Sequence, residues 1–417
     1  MPRPTASRKL LMFILYGTMF LFGFLENVKG VSFPLIKNEF SASYEAQGKM
    51  LSILSFSYTL FVIASGFLLG RFGIKRLYIL GYLCALLSLV SVNFMPGFWT
   101  VTGSLVFLFA GFGIFEIAVN SMATQIFTKK AALMMSLLHF MYGAGATVGP
   151  KAAGMLADPA GPGLLWRQIY LFTVPLVAVL FIPSVLAKFP RGTVPESAEA
   201  APPSAAPPSA AAEEPPRKSH GFITALKRPA VWAFGITLGV MVGLELASAN
   251  WGGLYFQDMY GLDPTTSGAN FISAFFILFT LSRLASGFLI EKIGYMRSLI
   301  GAILSVTVIF IAGFLMGAAG IYVLPLLGLF LAIFWPTFMA VAMGYFGADA
   351  PVMTSAIIAI AGLLNVGIQF VMGYINLWIG TGWGYRSCLL FAVVLIFLIL
   401  GVNRSIRGKK ETAGQVT

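Results

Sequence analysis

Charge is what this chain has least of: 10% of its 417 residues are Asp, Glu, Lys or Arg, against about 25% in an ordinary soluble domain. So little charge cannot cover a water-facing surface, and a soluble globular fold is excluded. Cysteine is nearly absent too. Cys84 and Cys388 stand singly in apolar segments, which excludes a disulfide framework or a cysteine-based metal site. The sequence has no HExxH motif, no Walker loop to draw energy from ATP and no nucleophile elbow. No enzymatic centre, metal or cofactor is therefore expected. Acidic residues are scarcer than basic ones, and a net charge of +12 would suggest nucleic acid as the partner of a soluble chain. Here the Lys and Arg lie between apolar runs, where they orient the chain in a lipid bilayer, so no nucleic acid is expected.

What is abundant is apolar length. Hydrophobic residues make up 58% of the chain and gather into twelve segments, each long enough to cross a hydrocarbon core of ~30 Å as a helix. They run near 10–34, 47–70, 77–95, 100–127, 131–154, 166–188, 230–257, 267–290, 297–318, 321–346, 352–378 and 384–403. No small-residue cleavage site follows the first, so it reads as a spanning helix and not as a removed signal peptide. Between the sixth and seventh, Pro190 to His220 is a run of Pro, Ala, Ser and charge that cannot build a core and reads as a disordered linker. The expected plan is an all-α polytopic membrane protein. It has six-helix bundles over 10–188 and 229–403, a linker over 189–228 and a tail over 404–417. Most of the 27 Lys and Arg fall on the side of the termini and linker, and Lys37, Lys49, Lys151, Arg167 and Arg386 on the other. By the positive-inside rule the termini and linker are cytoplasmic in a plasma-membrane protein.

The halves repeat. Ser65-Gly-Phe-Leu-Leu-Gly-Arg-Phe-Gly-Ile-Lys-Arg76 returns 221 residues later as Ser286-Gly-Phe-Leu-Ile-Glu-Lys-Ile-Gly-Tyr-Met-Arg297. Each copy falls in the turn between the second and third helix of its half. Gly66, Gly73, Gly287 and Gly294 are small enough for close helix approach. Arg71, Arg76, Lys292 and Arg297 would hold the turns at the cytoplasmic face. Two such repeats about an axis along the membrane normal make two pseudo-symmetric six-helix bundles.

Three acids lie inside spans, where an ionisable group costs at least ~2.5 kcal/mol and normally faces a cavity or a partner. Glu116 is near the middle of Val106 to Phe127, roughly 20 Å from the Lys129–Lys130 pair at one end. Asn120 follows at i+4 on the same face. Glu26 and Lys29, at i and i+3 in the first span, can neutralise one another. Glu245 stands in the seventh span, the counterpart of the first, with Asn250 and Trp251 a little beyond it. Each acid is a candidate proton site, and each has a structural alternative as an ion-pair lock between helices. Further groups that could contact a solute are His139 and Tyr142 in the fifth span and Asn365 with Gln369 in the eleventh. Thr337 joins them, since it takes the place of Glu116 at the offset of 221. Packing or interhelical hydrogen bonding is the alternative for each.

Together these features resemble the major facilitator superfamily: twelve spans, a long central loop and a duplicated Gly-x-x-x-x-Arg/Lys-x-Gly-x-x-Arg turn. The narrower likeness is to the fucose–proton symporter branch. It is carried by Glu116-Ile-Ala-Val-Asn120, Val242-Gly-Leu-Glu245 and Phe334-Trp-Pro-Thr-Phe338, and by Gly70 where many of these families have Asp. The first helix departs, because the acidic position of that branch falls on Gly30 and this chain has Glu26 and Lys29 instead. The resemblance implies alternating access about a midplane site in a monomer. It also implies a small sugar-like solute, carried with protons that a carboxylate loads and releases as its surroundings change. A competing likeness is Gly145-Ala-Thr-Val-Gly149-Pro150-Lys-Ala-Ala-Gly154, similar to the Gly-x-x-x-Gly-Pro signature of drug–proton antiporters, which would suit an exporter. A non-transporting receptor on the same fold is the third alternative.

Overall fold

The computed structural model describes residues 5–127, 131–189 and 222–414, and no strand occurs among them. Hydrocarbon offers no water to backbone N–H and C=O groups, so a chain this apolar satisfies them within helices. The first half consists of α1 (Thr5–Glu39), α2 (Tyr44–Ser91), α3 (Phe98–Ile126), α4 (Ala131–Ala157), α5 (Trp166–Phe172) and α6 (Val174–Leu186). The second is entered through a short α7 (Phe222–Leu226). It holds α8 (Pro229–Tyr260), α9 (Ala269–Ile293), α10 (Tyr295–Leu315), α11 (Leu327–Leu331), α12 (Phe334–Phe346) and α13 (Ala350–Gly414). Among the described residues, nine stretches are long and apolar enough to cross a membrane, and two of them are 51 and 57 residues long. Straight, those two would measure ~75–85 Å, more than twice a hydrocarbon core. Each bends at a glycine, Gly73 in α2 and Gly380 in α13, and so crosses twice. With α4, which packs between α1 and α9, this accords with twelve passes in two bundles.

The duplicated turn departs from the sequence expectation in its physics. Gly73 and Gly294 have φ of 74° and 92°, where an L side chain clashes with its own backbone. Glycine stands there so that the chain can reverse. A Cβ built on Gly66, Gly73, Gly287 or Gly294 would meet nothing within 4 Å, so these four do not provide close helix approach. Arg71, Arg76, Lys292 and Arg297 are exposed around the turns. Glycine brings helices together elsewhere, at the α1–α4 seam. A Cβ on Gly23 would lie 2.0 Å from the Tyr142 carbonyl oxygen, and one on Gly145 2.0 Å from that of Phe20. The Gly-x-x-x-Gly-Pro stretch is thus a packing surface of the first half.

Other boundaries shift for local reasons. The sixth pass divides at Thr173, and Val174-Pro175 opens the new helix α6. The tenth is interrupted at 332–333, between α11 and α12. Pro336 has no N–H to offer the carbonyl of Ala332, four residues back, and its ring excludes that carbonyl from the helix. The expected linker over 189–228 includes α7, whose Leu226 carbonyl accepts from Trp232 Nε1 at 2.8 Å. Residues 190–221 lie outside the described residues, as do Lys129 and Lys130. The last helix runs to Gly414, past its expected end at 403.

The halves are joined at the end opposite the duplicated turns. There α2 lies on α13 so closely that a Cβ on Gly48 would come 2.5 Å from Gly373 Cα. Ser52 Oγ donates to the Val366 carbonyl at 2.9 Å, and the Tyr374 hydroxyl to Glu45 at 2.9 Å. The Tyr44 hydroxyl donates to Asp258, and Lys151 to Asn270. Contact continues to mid-depth, where Gly143 lies against Thr280 and Gly362 against Thr59. A bundle closed in this way has its approach on the face of the turns.

Candidate functional site

At mid-depth both halves contribute charge. Glu26 in α1, Glu116 in α3, Glu245 in α8 and Arg283 in α9 each stand about ten residues or more, ~15 Å, from either end of their helices. All four are only half-buried. Glu26 accepts from Lys29 Nζ at 3.4 Å and from the Tyr142 hydroxyl at 2.7 Å. The Lys29 ammonium also sits 5.4 Å above the Phe109 ring, so its charge is held from two sides. Asn120 does not wait for a ligand. Its Nδ2 donates to Glu116 Oε1 at 3.2 Å and to the Glu116 carbonyl at 2.6 Å, while its Oδ1 is buried without a partner. Tyr58 of α2 faces the same carboxylate.

Arg283 completes the group. It attracts Glu116 across the halves and Glu245 within its own, whereas Glu26 repels both. Its guanidinium lies 4.5 Å from the Phe279 ring centre, and its Nε is 3.5 Å from the Ala332 carbonyl. That carbonyl is free to accept because Pro336 has no N–H for it. The Trp335-Pro336 break in the tenth pass therefore presents a backbone acceptor to a cation deep in the bundle. Arg283 lies in the span expected over 267–290 and no motif draws attention to it, although the rule that singles out Glu116 covers it equally.

The remaining candidates divide. Tyr142 and Lys29 join the cluster. Asn250 is half-buried on α8 beyond Glu245, and His139 is half-buried one turn before Tyr142. Trp251 is 1% exposed and donates from Nε1 to Gln369 Oε1 at 3.2 Å, and Gln369 Nε2 lies 3.4 Å from Asn365 Oδ1. These three form an interhelical chain between α8 and α13, with Trp251 and Gln369 closed to a solute in this arrangement. Thr337 is 2% exposed, with its hydroxyl buried and unpartnered. The contacts that sequence reasoning missed altogether are those of the far-end clasp, Tyr44–Asp258 and Glu45–Tyr374. Its partners are 214 and 329 residues apart and leave no local pattern.

The profile of the Major Facilitator Superfamily matches residues 15–352. An uncharacterised MFS-type transporter of Yersinia pestis is 22% identical over 270 residues, which cover 64% of this chain and 63% of that protein. The methylenomycin A resistance protein of Bacillus subtilis strain 168 is 26% identical over 194 residues, 45% of this chain and 40% of that protein. The chain thus spans less than two thirds of the length of either curated relative. The structure is similar to that of FucP, a transporter of the superfamily, in the outward conformation. That similarity has a TM-score of 0.63 at 17% identity and covers 95% of this chain and 99% of that one. A variant of the E. coli fucose:proton symporter FucP gives a TM-score of 0.62 at 18% identity over 96% and 99%. At such identity the likeness is one of fold. The profile match over most of the sequence, joined to two bundles with a repeated turn, decides the family: this chain belongs to the Major Facilitator Superfamily.

Proposed function

We propose that the protein is a secondary active transporter that carries a small polar, sugar-like solute together with protons by alternating access. The observation that carries this reading is the mid-depth cluster drawn from both halves, with Glu26, Lys29, Glu116 and Tyr142 on one side and Glu245 and Arg283 on the other. Three carboxylates against two cations leave one negative charge in excess, and in a low-dielectric interior a proton relieves it. Glu116 and Arg283 attract one another across the halves, with no ion-pair contact between them among the described residues. A proton on Glu116 removes that attraction and loosens one half from the other. Water that enters as the halves part lets the proton leave.

The Lys and Arg bias puts the face of the turns in the cytoplasm, which makes this arrangement open inward. FucP was solved in the outward conformation, and a rotation of one half against the other lowers the superposition of two such states. The half-buried rings of Tyr58 and Tyr142, both packed on Phe22 beside the polar groups, suit the C–H face of a sugar ring. A likeness to a protein described as a fucose:proton symporter supports the same solute class.

The test is solute-driven proton movement. Proteoliposomes carrying an internal pH dye should acidify when a transported monosaccharide is added outside, with no gradient imposed beforehand. An internal pH indifferent to every solute in a monosaccharide panel would refute sugar–proton symport. An exporter is the second reading, favoured by the similarity to a methylenomycin A resistance protein. It predicts drug accumulation driven by proton movement in the opposite direction.

A further inference from the structure

Where the duplicated turn meets the last helix of its half, the two halves differ. In the first, Lys75 Nζ spans the junction and donates to the Ala187 carbonyl at 2.9 Å, so the gap is filled. In the second, Met296 stands at the position of Lys75, 221 residues on, and has no donor. The junction there is an open recess of about 320 Å³ between the start of α10 and the end of α13, lined by Tyr295, Met296, Arg297, Ile300, Asn403 and Arg407 among others. Two guanidinia and an amide from separate helices border one space. Among the described residues neither Arg297 nor Arg407 has a carboxylate partner. Glu291, on the same turn, is exposed.

Guanidinium groups that converge on a recess with no acid among its described lining residues select an oxyanion, and their planar forks match phosphate in particular. The surroundings say what bears the phosphate. The recess lies at the level of the helix ends, and Tyr295, 46% exposed, is the kind of aromatic that sits at head-group depth. Ile300 lines its inner wall. Leu304, one turn further along α10, begins an apolar groove of about 480 Å³ with Val308, Leu326 and Phe330. Phosphate followed by hydrocarbon is the plan of a phospholipid.

We propose that this recess binds the phosphate of an anionic phospholipid through Arg297, Arg407 and Asn403, with an acyl chain laid toward the Leu304 groove. A basic pocket between helix ends at a membrane surface is suited to such a head group.

The full-length protein should be delipidated, offered phosphatidylglycerol or phosphatidylcholine in detergent, and weighed by native mass spectrometry. The wild type should retain phosphatidylglycerol in preference to phosphatidylcholine. Arg407→Gln and Asn403→Leu should each lower that retention by roughly fivefold to tenfold. Arg404→Gln, exposed and outside the recess, should leave it unchanged. If Arg407→Gln fails to fold, Asn403→Leu decides alone, since it removes no arginine. Equal phosphatidylglycerol retention in the wild type and Asn403→Leu would overturn the proposal. Binding of inorganic phosphate that Arg407→Gln abolishes, with no preference for phosphatidylglycerol over phosphatidylcholine, would overturn it too, by assigning the recess to the free anion.

Discussion

Glu26 and Glu116 lie at similar depth and are held in different ways. Glu26 has a cation and a hydroxyl as direct partners, whereas Glu116 has the amide of Asn120 and a cation only across the halves. If Glu116 carries the proton, Glu116→Gln should mimic its protonated form. The variant should exchange solute across the membrane and lose accumulation driven by a pH gradient. If Glu116 is a lock instead, the same change removes the charge that attracts Arg283 across the halves, and the protein should melt early. Accumulation at the wild-type level would remove Glu116 as the essential site and move attention to Glu245 and Glu26. The pairing itself is open to a double-mutant cycle. Glu116→Gln and Arg283→Met together should be less destabilising than the sum of the two, by ~1–3 kcal/mol; strictly additive effects would mean that the two charges do not meet. The acids were legible because hydrocarbon makes any buried charge conspicuous in an apolar run. Tyr58 was not, since a hydroxyl in a span is common and carries no such signal. Trp251 misleads for a related reason: its indole N–H looks available until Gln369, 118 positions on, is seen to take it.

At the scale of elements, the spans were readable because bilayer thickness dictates their length. The interruption at 332–333 was harder to see, because apolar composition continues through it and only the proline marks it. The duplicated turn was found by its pattern and given the wrong physics. Spacing does not distinguish a glycine that admits a neighbour from one that admits a positive φ. The two explanations predict different stabilities. Gly73→Ala and Gly294→Ala should each cost ~1–3 kcal/mol, because positive φ with ψ of 166° and 143° is a backbone region essentially confined to glycine. Gly66→Ala and Gly287→Ala, with open space where the Cβ would go, should cost nothing, and alanine's higher helix propensity favours them by ~0.5–1 kcal/mol. Thermal unfolding of the four variants in detergent checks this, and equal losses at all four would restore close helix approach as the reason. The α1–α4 seam supplies the contrast. At Gly23 a methyl would press on the Tyr142 carbonyl backbone, so Gly23→Ala should destabilise by ~1–3 kcal/mol through overpacking.

On the scale of the whole molecule, the question is what holds the halves in the arrangement seen. The far end is clasped by polar contacts of modest individual strength, partly open to water: Tyr44 on Asp258, and Tyr374 on Glu45, which also pairs with Lys49. Beneath the clasp the fit is apolar and close, with Gly48 on Gly373. Close packing of small residues is sensitive to distance, since a separation of ~0.5–1 Å already forfeits about a quarter to a half of its dispersion energy. The clasp therefore acts as a bias on a two-state element. At that degree of exposure a hydrogen bond to a charged group is worth on the order of 1 kcal/mol. Tyr44→Phe with Tyr374→Phe should then shift the balance toward the opposite state by ~2 kcal/mol, about thirtyfold. Ser52 reports the shift, because it is 6% exposed here and donates across the halves to Val366. A Ser52→Cys probe, in a chain whose own two cysteines have been replaced by serine, should be slow to react with a membrane-impermeant maleimide. In the double phenylalanine variant it should react at least about tenfold faster. The reagent must act from the side of the clasp, which is the outer side under the proposed orientation. An unchanged labelling rate in a variant that still melts normally would show that the glycine contact alone holds the halves together, and that the clasp biases nothing.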